Sequence, residues 1–94
     1  MAKAEKRKES ETNKEMLDAL LRLGFFVWRN NTGAVRAGNR FFRYGLKGSS
    51  DLIGWTPRGI FIGIENKTNG EPITPEQRDF IDGINRAGGF GLVI

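Results

Sequence analysis

DLIGWTPRGIFIGIENK, residues 51–67, decides how this chain folds. Two apolar runs flank Pro57-Arg58-Gly59. Proline suits the first central position of a type I turn, and glycine supplies the left-handed residue of a three-residue hairpin loop. The spacing therefore predicts an antiparallel hairpin over 51–56 and 60–67, with Thr56 paired to Ile60. Counting outward from that pair sets Asp51 opposite Glu65. Glu65 and Lys67 are two apart, so on an extended strand they share a face. Two carboxylates directly opposed repel each other. Lys67 offsets part of the repulsion, and a divalent cation would offset more. Mg²⁺ and Mn²⁺ take oxygen ligands, often one or two carboxylates plus waters and substrate phosphates. The plainer reading is a surface salt bridge of Lys67 with Glu65 or Asp51, which is worth little.

Working outward, Thr74-Pro75-Glu76-Gln77 has the form of a capping box with proline at the first helical position. The helix it opens should bury Phe80, Ile81 and Ile84 and stop near Gly88-Gly89. A strand over 90–94 follows, and a strand–helix–strand run predicts a parallel, right-handed pairing with the strand at 60–67. Gly83 inside the helix costs about 1 kcal/mol against alanine and can mark a close approach. Upstream, Met16, Leu17, Leu20, Leu21 and Leu23 recur at helical spacing, giving a first helix over 11–23 closed by Gly24. Residues 25–29 read as a strand, Asn30-Asn31-Thr32-Gly33 as turn chemistry, 39–44 as a second strand and 45–50 as a loop. The expected order is α-β-β-β-β-α-β, an α/β fold with a mixed sheet flanked by helices.

Composition narrows the chemistry. The chain has 94 residues, enough for one small domain, and neither cysteine nor histidine. Histidine general bases, Ser-His-Asp triads and thiolate or imidazole metal sites are excluded, so catalysis falls to carboxylates, lysine, arginine, hydroxyls or a hard cation. No apolar run is long enough to span a bilayer. The opening MAKAEKRKESE lacks the apolar core of a signal peptide. Residues 1–10 are expected to be a flexible, charged lead-in to a single domain over 11–94, in the cytoplasm. The net charge is +4, yet no acid lies between Asp18 and Asp51. That span holds Arg22, Arg29, Arg36, Arg40, Arg43 and Lys47 among Phe25, Phe26, Trp28, Phe41, Phe42 and Tyr44. Basic residues interleaved with aromatics suit a phosphate-rich partner, the plainer reading being a solvated face over an aromatic core.

These pieces together carry a resemblance. Gly48-Ser49-Ser50-Asp51-Leu52-Ile53-Gly54, Gly59-Ile60-Phe61, Ile64-Glu65-Asn66-Lys67, then Gln77 and Gly88-Gly89, resemble the VRR-Nuc family of the PD-(D/E)xK nuclease superfamily, and Trp28 to Gly33 resembles its second element. The resemblance covers the chain from the first helix onward and implies a restriction-endonuclease-like core and a metal-dependent phosphodiesterase. It implies that Asp51 and Glu65 hold Mg²⁺ or Mn²⁺ with the Asn66 backbone carbonyl, and that Lys67 assists catalysis. Gln77 matches a helix-opening glutamine near the site, beside its plainer role in the capping box. The family's helix-one glutamate falls to Glu11, with Asn13 and Glu15 as alternatives; an acid in a first helical turn is also favoured by the helix dipole alone. Ser50 stands where the family has proline, and Asn66 where it has an apolar residue, its side chain directed to the opposite face from Glu65. Arg29, Arg36, Arg40, Arg43 and Lys47 are the expected DNA contacts. Stand-alone members act as homodimers on branched DNA such as Holliday junctions. The rival expectations are a non-catalytic nucleic-acid-binding domain that keeps the fold, and a small protein-interaction domain using its basic, aromatic face.

Overall fold

One glycine-closed hairpin and one helical crossover build the central sheet. The computed structural model describes residues 9–94. Helix α1 (Glu9–Arg22) leads into β1 (Phe26–Arg29); β2 (Gly33–Ala37), β3 (Arg40–Tyr44), β4 (Leu52–Trp55) and β5 (Phe61–Glu65) follow, then helix α2 (Pro75–Arg86) and β6 (Phe90–Val93). The main sheet has the order β1-β4-β5-β6, antiparallel except for the β5–β6 pair, which is parallel as the α2 crossover requires. The architecture is α/β, with a mixed sheet flanked by helices.

The β4–β5 hairpin has the expected register. Thr56 N donates to Ile60 O at 2.9 Å, Gly59 N donates to Thr56 O at 2.8 Å, and Gly59 sits at φ +80°. Leu52 pairs with Ile64, so the next step along the ladder sets Asp51 against Glu65.

Strand alternation sorts the two faces. Val27, Leu52, Ile62 and Ile64 form the core on one face, under Met16, Leu17 and Leu20 of α1. The other face carries Gly63 and Glu65 of β5 and Ile53 and Trp55 of β4. Helix α2 covers its β5–β6 half, burying Ile81 and Ile84. The helix sits close because there is no side chain at Gly63 or Gly91: a Cβ there would lie 2.5 Å from Ile84 Cδ1 or 2.6 Å from Ile81 O.

Four expectations change. The first helix begins at Glu9, so residues 9 and 10 of the expected lead-in are helical, while 1–8 lie outside the described residues. The strand expected over 39–44 does not join the main sheet. It pairs antiparallel with β2, whose first residue falls in the expected turn, and the two form a separate hairpin. Gly-Ala-Val-Arg-Ala has weak strand propensity, which hides β2 in the sequence. The turn signal is nonetheless present: Gly38-Asn39 separates the paired Ala37 and Arg40, and Gly38 at φ +61° supplies the first central residue of a two-residue hairpin turn. Finally, Phe80 is only partly buried, whereas Ile81 and Ile84 are fully so.

Candidate active site

The ends of β4 and β5 bring the acidic pair together. Asp51 immediately precedes β4, and its Oδ2 accepts a hydrogen bond of 2.7 Å from Asn66 N. Glu65 is the last residue of β5 and is 2% exposed. Its Oε1 accepts from Gln77 Nε2 at 3.0 Å and lies 3.8 Å from Lys67 Nζ. Lys67 is itself largely enclosed, its side chain 15% exposed. The chain beyond β5 stays extended against β6: Ile94 N donates to Glu65 O at 2.9 Å, and Lys67 N donates to Ile94 O at 2.7 Å. This holds Glu65 and Lys67 on one face.

Gln77 closes the helix cap and also reaches Glu65. Its backbone N donates to Thr74 Oγ1 at 3.2 Å and its Oε1 accepts from Thr74 N at 2.9 Å, completing the capping box. That leaves Nε2 to reach Glu65. The cap thus fixes the rotamer that presents the amide to the carboxylate.

A loop completes the wall. Gly48, at φ +88°, packs so tightly on the first turn of α2 that a Cβ would lie 2.7 Å from Glu76 backbone atoms. Lys47 Nζ lies 3.5 Å from Glu76 Oε2 on the surface. The Glu76 carboxyl is held below its ordinary value, first by its own backbone N–H at the helix start and then by Lys47. Asn30 Nδ2 donates to Ser49 Oγ at 2.6 Å and to Ser50 O at 3.0 Å, pinning the same loop to the end of β1. Ser50, in the proline position, is wholly buried, and its Oγ has no hydrogen-bond partner.

On the opposite face the Asn66 side chain points to α1, as alternation requires. Its Nδ2 donates to Asn13 Oδ1 at 3.0 Å, and its Oδ1 accepts from Thr68 N at 2.9 Å and Thr68 Oγ1 at 2.7 Å. Asn13 is buried and Glu11 and Glu15 are exposed, so Asn13 is the helix-one residue brought to this strand end. Among the described residues no three Asp or Glu side chains are grouped to hold one ion, and Glu11 does not join Asp51 and Glu65. Helical phase decides this: turning Asn13 toward β5 leaves Glu11, two residues and about 200° earlier, facing water. A pair of carboxylates with a neighbouring carbonyl nevertheless fits a hard divalent cation, which commonly takes one or two carboxylates and fills its remaining positions with water and phosphate oxygens.

The basic residues separate into groups. Arg36, Arg40 and Arg43 lie on the β2–β3 hairpin, with Arg43 over the Phe41 ring at 5.7 Å. Lys47 stands beside the N-terminus of α2. Arg29 alternates with Trp28 and Asn30 and belongs to the α1 face, away from Asp51 and Glu65. No helix among the described residues is long and apolar enough to cross a membrane.

Searches of curated proteins and of solved structures find no match to the chain. The family model of the VRR-NUC domain matches residues 7–93, spanning both helices, the β4–β5 hairpin and the acid–amide–lysine cluster at its end. The chain belongs to the VRR-NUC domain family and has its nuclease-like fold.

Proposed function

We propose that this nuclease-family domain is a metal-dependent DNA endonuclease that hydrolyses phosphodiester bonds with selectivity for branched DNA. One observation carries the reading. Glu65, buried and bonded by Gln77, stands opposite Asp51 and 3.8 Å from the enclosed Lys67. A surface ion pair would be solvated and cheap. Burying a carboxylate and an ammonium costs desolvation that their attraction repays only with good geometry and further hydrogen bonds. Interaction or structural domains have no need of such a cluster.

Asp51 and Glu65 would hold Mg²⁺ or Mn²⁺. The Asn66 carbonyl is a third oxygen, on the strand residue whose N–H faces Asp51. When bound, such an ion polarises a phosphoryl oxygen and lowers the pKa of a coordinated water. Lys67 offers a proton donor and positive charge to the phosphate oxygens on which charge grows. Gln77 fixes the Glu65 carboxylate. Arg36, Arg40, Arg43 and Lys47 neutralise phosphates and position the duplex without reading its sequence, which favours selection by DNA shape. Arg29 does so from another side. A homodimer suits a symmetric junction. The β2–β3 hairpin supports it, since Val35, Phe42 and Tyr44 share one exposed face of an element marginal on its own.

The test is cleavage of a four-way junction beside a linear duplex of equal length, in Mg²⁺, Mn²⁺ or EDTA, with Lys67→Ala as control. Paired nicks on the junction that need metal and Lys67 are expected. Intact junction binding with no cleavage in any condition would leave a non-catalytic binder that keeps the fold. A monomer by light scattering at micromolar concentration would remove the dimer.

A further inference from the structure

The face that carries Asp51 and Glu65 is only half covered. Helix α2 lies over β5 and β6, and the β1–β4 half carries aromatic rings open to solvent. Phe26 opposes Trp55, and Trp28 opposes Ile53. The Phe26 and Trp55 rings are stacked, with centroids 4.5 Å apart and planes 5° apart. The Trp28 ring stands roughly perpendicular to both, its centroid 6.1 Å from Phe26 and 5.9 Å from Trp55. Phe26 is 57% exposed, Trp28 42% and Trp55 43%. Rings on a sheet usually turn inward or find a covering element. Here they are packed against each other and held open.

Their position is the second observation. Ile53 and Trp55 lie two and four residues from Asp51 on the same face of β4, about 7 Å and 13 Å along the strand. Trp28 is in the strand beside them. A phosphate placed at the acidic pair therefore brings the next nucleotides of its strand over these rings. The surroundings suit a polyanion: β1 lies in the acid-free span between Asp18 and Asp51, and Arg58 stands in the turn just past Trp55. Asp79 lines the groove beside Phe61, on the α2 side and away from the rings.

We infer that Phe26, Trp28 and Trp55 form a stacking platform for unpaired bases of the DNA strand next to the phosphate being cut. The inference rests on the nucleic-acid reading above. Bases stack on aromatic rings without regard to sequence, and they must be unpaired to do so. The platform thereby selects frayed, flapped or junction-edge DNA over a closed duplex. A second copy laid on this face would also cover the rings, but it would cover the approach to Asp51 and Glu65 as well.

Trp28 and Trp55 are the only tryptophans in the chain, so tryptophan emission, excited where Tyr44 does not absorb, reads the platform alone. The experiment titrates the full chain in EDTA with a short oligothymidylate and with a closed duplex, following tryptophan emission and, in parallel, anisotropy of the labelled DNA. Saturable quenching by oligothymidylate is expected. Trp28→Leu should weaken oligothymidylate binding roughly 5- to 100-fold, with little change for the closed duplex, and Trp28→Phe should retain most of it. Anisotropy that reports binding while emission stays fixed would overturn the platform. Emission that follows protein concentration and ignores DNA would overturn it in favour of a second copy. Absence of any binding would remove the nucleic-acid reading and the platform together. Because no cleavage is needed, quenching without metal-dependent cutting would sink the catalytic reading alone, and cutting without quenching would sink this one alone.

Discussion

Glu65 and Asp51 face each other across one rung of the ladder, yet their surroundings differ. Glu65 is enclosed by β6, α2 and Lys67, whereas Asp51 is partly open and is anchored through the Asn66 N–H. The amide of Gln77 is one of the groups that orient Glu65. Gln77→Ala should lower metal-dependent cleavage roughly 10- to 100-fold, as loss of a group orienting a ligand usually does. Thr74→Ala separates this from helix capping. It removes the cap acceptor and should cost about 1 kcal/mol in denaturant melts, while Nε2 still reaches Glu65 and cleavage falls less. Equal losses of cleavage in both variants would mean that Gln77 acts only through the cap. Ser50 offers an opposite case: its wholly buried hydroxyl bonds to nothing. Ser50→Ala removes a desolvated polar group and should raise stability by about 1 kcal/mol, with the melting midpoint as the measure. Asn13 and Asn66 form a satisfied buried pair, and Asn13→Ala should cost about 1–3 kcal/mol by leaving a buried donor without that acceptor.

Among the elements, the N-terminus of α2 and the loop at 45–50 act as a unit. Gly48 takes a backbone conformation that other residues rarely adopt and lies flat against Glu76, so Gly48→Ala meets both strain and a backbone clash. Since this loop leads directly into Asp51, the variant should lose cleavage as well as stability, and both can be read on one sample. The Glu76 carboxylate, held by its own backbone N–H first and by Lys47 second, contributes stability that follows pH in a known direction. The lowered Glu76 pKa makes its contribution full above the ordinary carboxylate range, and it is lost as pH falls through the lowered value. Much of this level is legible in the sequence. Pro57-Arg58-Gly59 sets the hairpin register and hence the Asp51–Glu65 pairing, and Thr74-Pro75-Glu76-Gln77 sets the start of α2. Local turn and cap chemistry depends on a few residues whose preferences are strong. The β2 strand is not legible, because alanine and glycine carry little strand preference. The choice of Asn13 over Glu11 depends on the rotation of α1 about its axis, which tertiary packing sets and which residue type alone does not reveal.

For the whole molecule, the arginine cluster of the hairpin and the ring cluster beside Asp51 lie on different elements. The β2–β3 hairpin carries Arg36, Phe41 and Arg43 on one face, outside the main sheet. The rings beside Asp51 belong to β1 and β4. On the proposed reading, these two surfaces make different demands on DNA. Arginines on phosphates release counterions and act on every nucleic acid alike, whereas rings need unpaired bases. The double variant Arg36→Ala/Arg43→Ala should therefore weaken binding of junction, duplex and single strand together. It should flatten the log–log salt dependence by about 0.9 for each duplex phosphate that is no longer neutralised. Anisotropy titrations at several salt concentrations give both quantities. An unchanged slope would place the hairpin outside the DNA footprint and leave its exposed Val35, Phe42 and Tyr44 as a surface for a second copy. A flattened slope with junction selectivity intact would assign affinity to the hairpin and selectivity to the sheet.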